Sequence, residues 1–187
     1  MHILAKVYYR QERYDEAERL LQDALAGYQK RPFTQPSWLH PAMVLTGFYT
    51  RQGTYTQIKE LLTSYLEDVS RVWGKNHPAM ATPYNTVAWQ LATSLSAEVR
   101  NGVKAVAYAT KACELSQWQN YLWIDTLAAA YAEAGDFDAA VKWQKRAIEG
   151  LQDTHPGSTL KAQEYQERLK LYRADTPYRE ESSPYLF

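Results

Sequence analysis

The 187-residue chain has one cysteine, Cys113, no excess of either charge and no long apolar run. A single Cys leaves no partner for an intrachain disulfide, and a structural zinc site would need more Cys and His than Cys113 and four histidines supply. Lys and Arg number 21, as do Asp and Glu, and the balance holds in each half of the chain, so there is no basic arm for phosphates. Nothing approaches the roughly 18 apolar residues of a membrane span. The N-terminus, from Met1 to Lys6, soon meets Arg10, Glu12 and Arg13 and offers no signal-peptide core. The eight glycines are scattered and never form Gly-x-Gly, which removes the phosphate loops. Nucleic acid, membrane and cofactor are accordingly not expected, and neither is an enzyme.

Hydrophobic residues make up 45%, a folded composition, and the rings are mostly Tyr (15) and Trp (6) rather than Phe (4). Tyr and Trp bury a large ring while keeping a polar tip, which suits helix packing and interaction surfaces.

A repeat organises these residues. From Asp125 to Ala147, Leu127, Ala128 and Tyr131 form one apolar face, Gly135-Asp136 interrupts, and Phe137, Ala140, Val141, Gln144 and Ala147 follow at helical spacing. This predicts two helices joined by a tight turn. The small residue of the first helix recurs as Ala5, Thr46, Ala88 and Ala128, in three near-equal steps. The ring position after it recurs in the same steps, as Tyr8, Tyr49, Leu91 and Tyr131. In the copy at Ala88 the turn is lengthened between Ser94 and Gly102, an insertion of roughly five residues that a loop tolerates. Small residues let helices approach closely and the rings fill the space beside them. No single pair buries its own apolar face, so the pairs must stack.

This pattern resembles the tetratricopeptide repeat. Leu127, Ala128, Tyr131, Gly135, Phe137, Ala140 and Ala147 carry the resemblance most strongly. The N-terminal copy has Glu12 at the turn glycine, and the copy around Gly53 has Ile58 and Tyr65 at the small positions of its second helix. The step, roughly 41, exceeds the usual length of about 34. It is similar to the long-period repeats of kinesin light chains and bacterial arrays, as is the linker Gly74-Lys-Asn-His77-Pro78; His40-Pro41 and His155-Pro156 are partial versions. The resemblance implies an all-α, right-handed solenoid of four helix pairs (1–30, 40–73, 79–116 and 120–151). Leu160, Tyr165, Leu169 and Tyr172 can share one side of a capping helix over 158–173, Pro177 stops any continuation, and 174–187 is read as a loose tail. The first pair lacks about one turn. The chain is therefore expected to be the C-terminal piece of a longer protein, or to dock Ile3, Leu4 and Val7 on upstream repeats or another chain.

The His-Pro pairs are best explained as helix starts, because proline in a first turn loses no needed hydrogen bond. Cys113 fits a small buried side chain, and the pairs Asp15/Glu18 and Glu164/Glu167 fit solvated faces rather than catalytic dyads. What is left is a surface. In this family the first helices line a groove, and the outward positions implied here are Lys6, Tyr9 and Arg10; Met43, Gly47, Thr50 and Arg51; Asn85, Trp89 and Ala92; and Asp125, Ala129 and Glu133. Lys6, Arg10 and Arg51 with the rings of Tyr9 and Trp89 would suit an extended peptide bearing acidic or carboxylate groups; Tyr9 and Trp89 could equally pack between helices. The Lys and Asn set of chaperone-tail binders is not reproduced. Trp118, Tyr121 and Trp123 are either linker packing or an exposed aromatic patch. The expected function is a non-catalytic protein-interaction scaffold in the cytoplasm. The alternative is a structural or regulatory segment of a larger bacterial signalling protein such as a repeat-bearing Ser/Thr kinase.

Overall fold

The computed structural model describes residues 2–29, 41–155 and 157–180, without the side chains of residues 2, 3, 6, 28, 29, 41, 43 and 51. The described residues are all-α and fall into two compact units, on either side of Gly74.

The first unit holds α1 (His2–Arg10), α2 (Tyr14–Gln29), α3 (Pro41–Gln52) and α4 (Ile58–Trp73), each packed on its neighbour in sequence. Ala5 of α1 and Ala17 of α2 are fully buried where these helices meet, and Phe48, Tyr49, Ile58, Leu62 and Tyr65 fill the core of the next pair. The larger residues at 58 and 65 are accommodated there as fully buried side chains. Leu4 and Val7 of α1 are 45% and 41% exposed, and Ile3 lies outside the described side chains.

The second unit begins with a single 3₁₀ turn, Pro78–Met80. His77 caps that turn, its Nδ1 accepting the Ala79 amide at 3.2 Å, and Pro78 supplies the first position, where no amide is needed. Then come α5 (Ala81–Thr93), α6 (Gly102–Leu115), α7 (Tyr121–Glu133), α8 (Phe137–Thr154) and α9 (Thr159–Arg173). Side chains start three of them: Asn101, Asn120 and Asp136 accept the amides of Lys104, Leu122 and Ala139. Buried alanines, among them Ala88, Ala105, Ala109, Ala128, Ala140 and Ala147, let α5 pack on α6 and α7, and α7 on α8.

Helix endings repeat as well. In α1, α3, α7 and α9 the chain leaves through one left-handed residue, at Glu12 (φ 61°), Gly53 (70°), Gly135 (85°) and Asp175 (50°). In each case the next amide reaches back to the carbonyl five residues earlier, at Tyr8, Tyr49, Tyr131 and Leu171. Asp175 follows Gly135 by one repeat step, so α9 stands in register as the first helix of a further pair. The same step carries the small position of Ala128 to Arg168, and Phe137 to Pro177. A proline there fits the departure of the chain from helical structure after α9.

Left-handed backbone is costly for a side chain with a Cβ. Glu12→Gly is therefore expected to stabilise the chain by about 1 kcal/mol, read as a higher urea midpoint.

Candidate interaction face of the second unit

Helix α5 ends differently from the other first helices among the described residues. The lengthened connection to α6 removes the left-handed turn, and the last carbonyls of α5 need other donors. Gln90 O accepts the Ser94 amide and Leu91 O accepts the Asn101 amide at 2.9 Å. The remaining two are met from far along the chain: Arg179 Nη1 donates to Ala92 O at 3.3 Å, and the Glu180 amide donates to Thr93 O at 2.9 Å. A guanidinium at this point also complements the negative end of the helix dipole.

Residues 178–180, outside any helix, thus lie against α5, α7 and α9. The Tyr178 ring packs on Trp89 of α5, centroids 5.9 Å apart. Arg179 Nη2 sits 2.7 Å from Glu133 Oε2 at the end of α7, an ion-pair contact without hydrogen-bond alignment. Glu133 also takes Arg100 Nε at 3.1 Å, while Arg100 Nη1 donates to the carbonyls of Ser94 and Leu95. Both residues of the Arg100–Glu133 pair are largely buried, where charge pairs are screened less than at the surface.

Behind this segment is a buried polar cluster. Asp125 of α7 is 4% exposed and accepts Arg168 Nε at 2.9 Å and Gln144 Nε2 at 2.8 Å on one oxygen. Gln144 also donates to Tyr165 O. Burial pushes the Asp125 carboxyl above the usual carboxylate range, and Arg168 and Gln144 oppose that rise. Burial alone would lower the Arg168 guanidinium; Asp125 beside it carries it upward. The guanidinium lies over the rings of Tyr165, Tyr178 and Trp89, at 4.7, 5.2 and 5.7 Å, a cation–π arrangement shared among three rings.

The residues expected to face a partner are therefore placed unequally. Trp89 and Glu133 border the segment 178–180. Asn85, one turn before Trp89 on α5, is half-buried, and its Oδ1 is buried with no donor. Asp125 does not face outward: α9 covers it and Arg168 consumes its charge. Ala92 and Ala129 are buried, as is Gly47. In the first unit, Tyr9 packs edge-on against Tyr14 and Phe48, Thr50 donates to Thr46 O, and Arg10 is exposed. The expectations for Lys6, Met43 and Arg51 concern side chains outside the described residues. Tyr178, Arg179, Arg168, Gln144 and Arg100 were missed. The one signal for them was register, since Gln144 falls among core positions and Arg168 one step after Ala128.

The aromatic question between α6 and α7 is answered for two of its three residues. Trp118 stacks on Trp143 with centroids 4.9 Å apart, and Arg146 lies over both rings. Tyr121 meets Tyr165 and His155 edge-on, its hydroxyl 3.3 Å from His155 Nδ1. Trp123 is half-buried on α7. His40 and Pro156 lie outside the described residues. Among the described residues no group of three His, Cys, Asp or Glu is placed to hold a metal, and no helix is long and apolar enough to cross a membrane.

Cys113 is fully buried, and burial pushes its thiol up to about 12. Its alkylation in the native chain near pH 8 is expected to be about a thousandfold slower than in guanidinium, followed by mass spectrometry.

Paired antiparallel helices, small buried residues at their crossings and one recurring helix ending define a helical-repeat protein. Two stretches of the chain, residues 1–31 and 123–155, match the family model described as Tetratricopeptide repeat. The first match covers the pair α1–α2, and the second covers nearly all of α7–α8. No curated protein matches the chain. Repeats of this family mediate protein–protein interaction.

Proposed function

We propose that the chain is a non-catalytic interaction scaffold, acting in the cytoplasm, whose second unit binds an extended polypeptide segment in the channel between α5, α7 and α9. One observation carries this reading: the channel already engages three consecutive non-helical residues through a ring, a guanidinium and a backbone amide. Such a mixture of apolar anchor and main-chain hydrogen bonding is how groove-binding peptides are held. Trp89 supplies the ring anchor, Glu133 the charge, and the end of α5 the carbonyl acceptors. In the first unit the exposed Arg10 and the adjacent Tyr9, with Lys6 and Arg51, are proposed contacts for acidic groups on a partner.

Peptide display against the full chain carrying Arg179→Ala tests the reading. Enriched peptides should lose at least about tenfold in affinity when Trp89→Ala is added, with helicity by circular dichroism unchanged. Equal binding to the Trp89→Ala protein, or no enrichment, would remove the channel from consideration.

A further inference from the structure

We infer that Tyr178-Arg179-Glu180 is an intramolecular ligand of this channel, and that the partner which replaces it presents an aromatic–arginine pair in extended chain. The inference rests on the reading of the channel as a peptide site, and adds what it selects and what holds it closed.

At the end of α5 the channel offers hydrogen-bond acceptors. The groups that the Arg179 side chain and the Glu180 amide meet are acceptors: the carbonyls of Ala92 and Thr93 and the Glu133 carboxylate, while the cation beside Tyr178, Arg168, is paired with Asp125 and meets the ring by its face. A ligand must therefore bring donors. One guanidinium, that of Arg179, serves both Ala92 O and Glu133 at once, and its positive charge lies where the dipole of α5 is negative. A lysine has no planar fork with which to span the two. An acidic segment would set its charge against Glu133 and against two orphan carbonyls. The ring preference is separate and comes from Trp89, with the Arg168 guanidinium over both it and Tyr178. The partner for this unit thus differs in sign from the acidic segment that Lys6, Arg10 and Arg51 would suit.

The occupancy in cis follows from the insertion in the third pair. With the turn between α5 and α6 lengthened, Asn101 still closes Leu91 O, but the end of α5 lacks the turn amide that at Glu12, Gly53, Gly135 and Asp175 meets the carbonyl corresponding to Ala92 O. A break in the helical pattern at Pro177 and the left-handed residue Asp175 turn the chain out of α9, and Tyr178 to Glu180 complete the end of α5. A tethered segment competes at a high effective concentration, so a free partner must displace it, and a weak cis contact suffices to set a threshold.

Fluorescence anisotropy with a labelled, end-blocked Thr-Pro-Tyr-Arg-Glu peptide tests both parts, using the full chain and the full chain carrying Tyr178→Ser with Arg179→Ser. Circular dichroism first establishes that the double variant keeps its helicity. The peptide is expected to bind the variant at least about tenfold more tightly than the wild-type chain, and a Thr-Pro-Ser-Glu-Glu peptide is expected not to bind. Adding Glu133→Gln or Trp89→Ala to the variant should abolish the gain. Equal affinity for both chains overturns the cis ligand. No binding to the variant overturns the aromatic–arginine chemistry, and if displayed peptides of other chemistry still need Trp89, the channel reading survives while this inference falls. Light scattering that shows a wild-type dimer dissociated by the double variant would assign the segment to a second copy and overturn the cis arrangement.

Discussion

Gly102→Ala is expected to lower the stability of the second unit by about 3 kcal/mol, the upper part of the range for forcing an extra methyl into a packed interior. Gly102 is the first residue of α6, and its α-carbon faces the end of α7. A Cβ built there would lie 2.5 Å from Ala134 N, 2.6 Å from Ala134 Cα and 2.7 Å from Glu133 C. All three are backbone atoms, which cannot swing aside as a side-chain tip can. The start of α6 must retreat from α7, and with it Arg100, whose guanidinium ties Glu133 to the carbonyls of Ser94 and Leu95. Gly27 in α2 is the control. Nothing lies within 4 Å of a Cβ added at that position, so Gly27→Ala should show only the ordinary helix preference for alanine, a gain of about 0.5–1 kcal/mol. Urea denaturation of the two variants should move the midpoint in opposite directions.

The second large effect belongs to the buried pair. Asp125→Ala is expected to cost about 3–5 kcal/mol, because it leaves the Arg168 guanidinium inside the protein with no counter-charge and takes an acceptor from Gln144. The loss reflects an abandoned charge rather than the worth of the pair. Asp125→Leu combined with Arg168→Met, which removes both charges and fills the space, should therefore cost less than Asp125→Ala alone. Denaturant midpoints of the single and double variants read the difference. The double variant also deletes the cation stacked over Trp89 and Tyr178, so it should loosen residues 178–180 while leaving the helices folded.

These two sites mark where sequence reasoning reaches and where it stops. The helix pairs were legible because small residues at Ala5, Ala88, Ala128 and Ala140 recur at a fixed step, and close helix crossings demand them. Glu12 was identifiable as standing in a glycine position, and the structure gives it the left-handed backbone that a glycine would adopt. Asp125 was assigned to the groove by position in the repeat. Its burial depends on Arg168, far along the chain in α9, and no local pattern marks that partner. Gly102 looked like the end of a tolerated insertion. Its importance comes from the backbone of Ala134, which is a fact of packing. Residues 178–180 were expected to lie in a loose tail, because three residues outside a helix have no periodicity and their acceptors stand at the distant end of α5. The clue lay in an absence: α5 has no left-handed turn residue, and its last two carbonyls, Ala92 and Thr93, take donors from residues 179 and 180.

That bond offers the most direct measurement. The claim that the channel of the second unit holds extended polypeptide requires the Glu180 amide to donate to Thr93 O. Amide hydrogen exchange in the full chain should show Glu180 protected at least about a hundredfold over an unstructured peptide, and Trp89→Ala should remove that protection while α7 and α8 stay protected. Exchange of Glu180 at the unstructured rate in the wild-type chain would contradict the account.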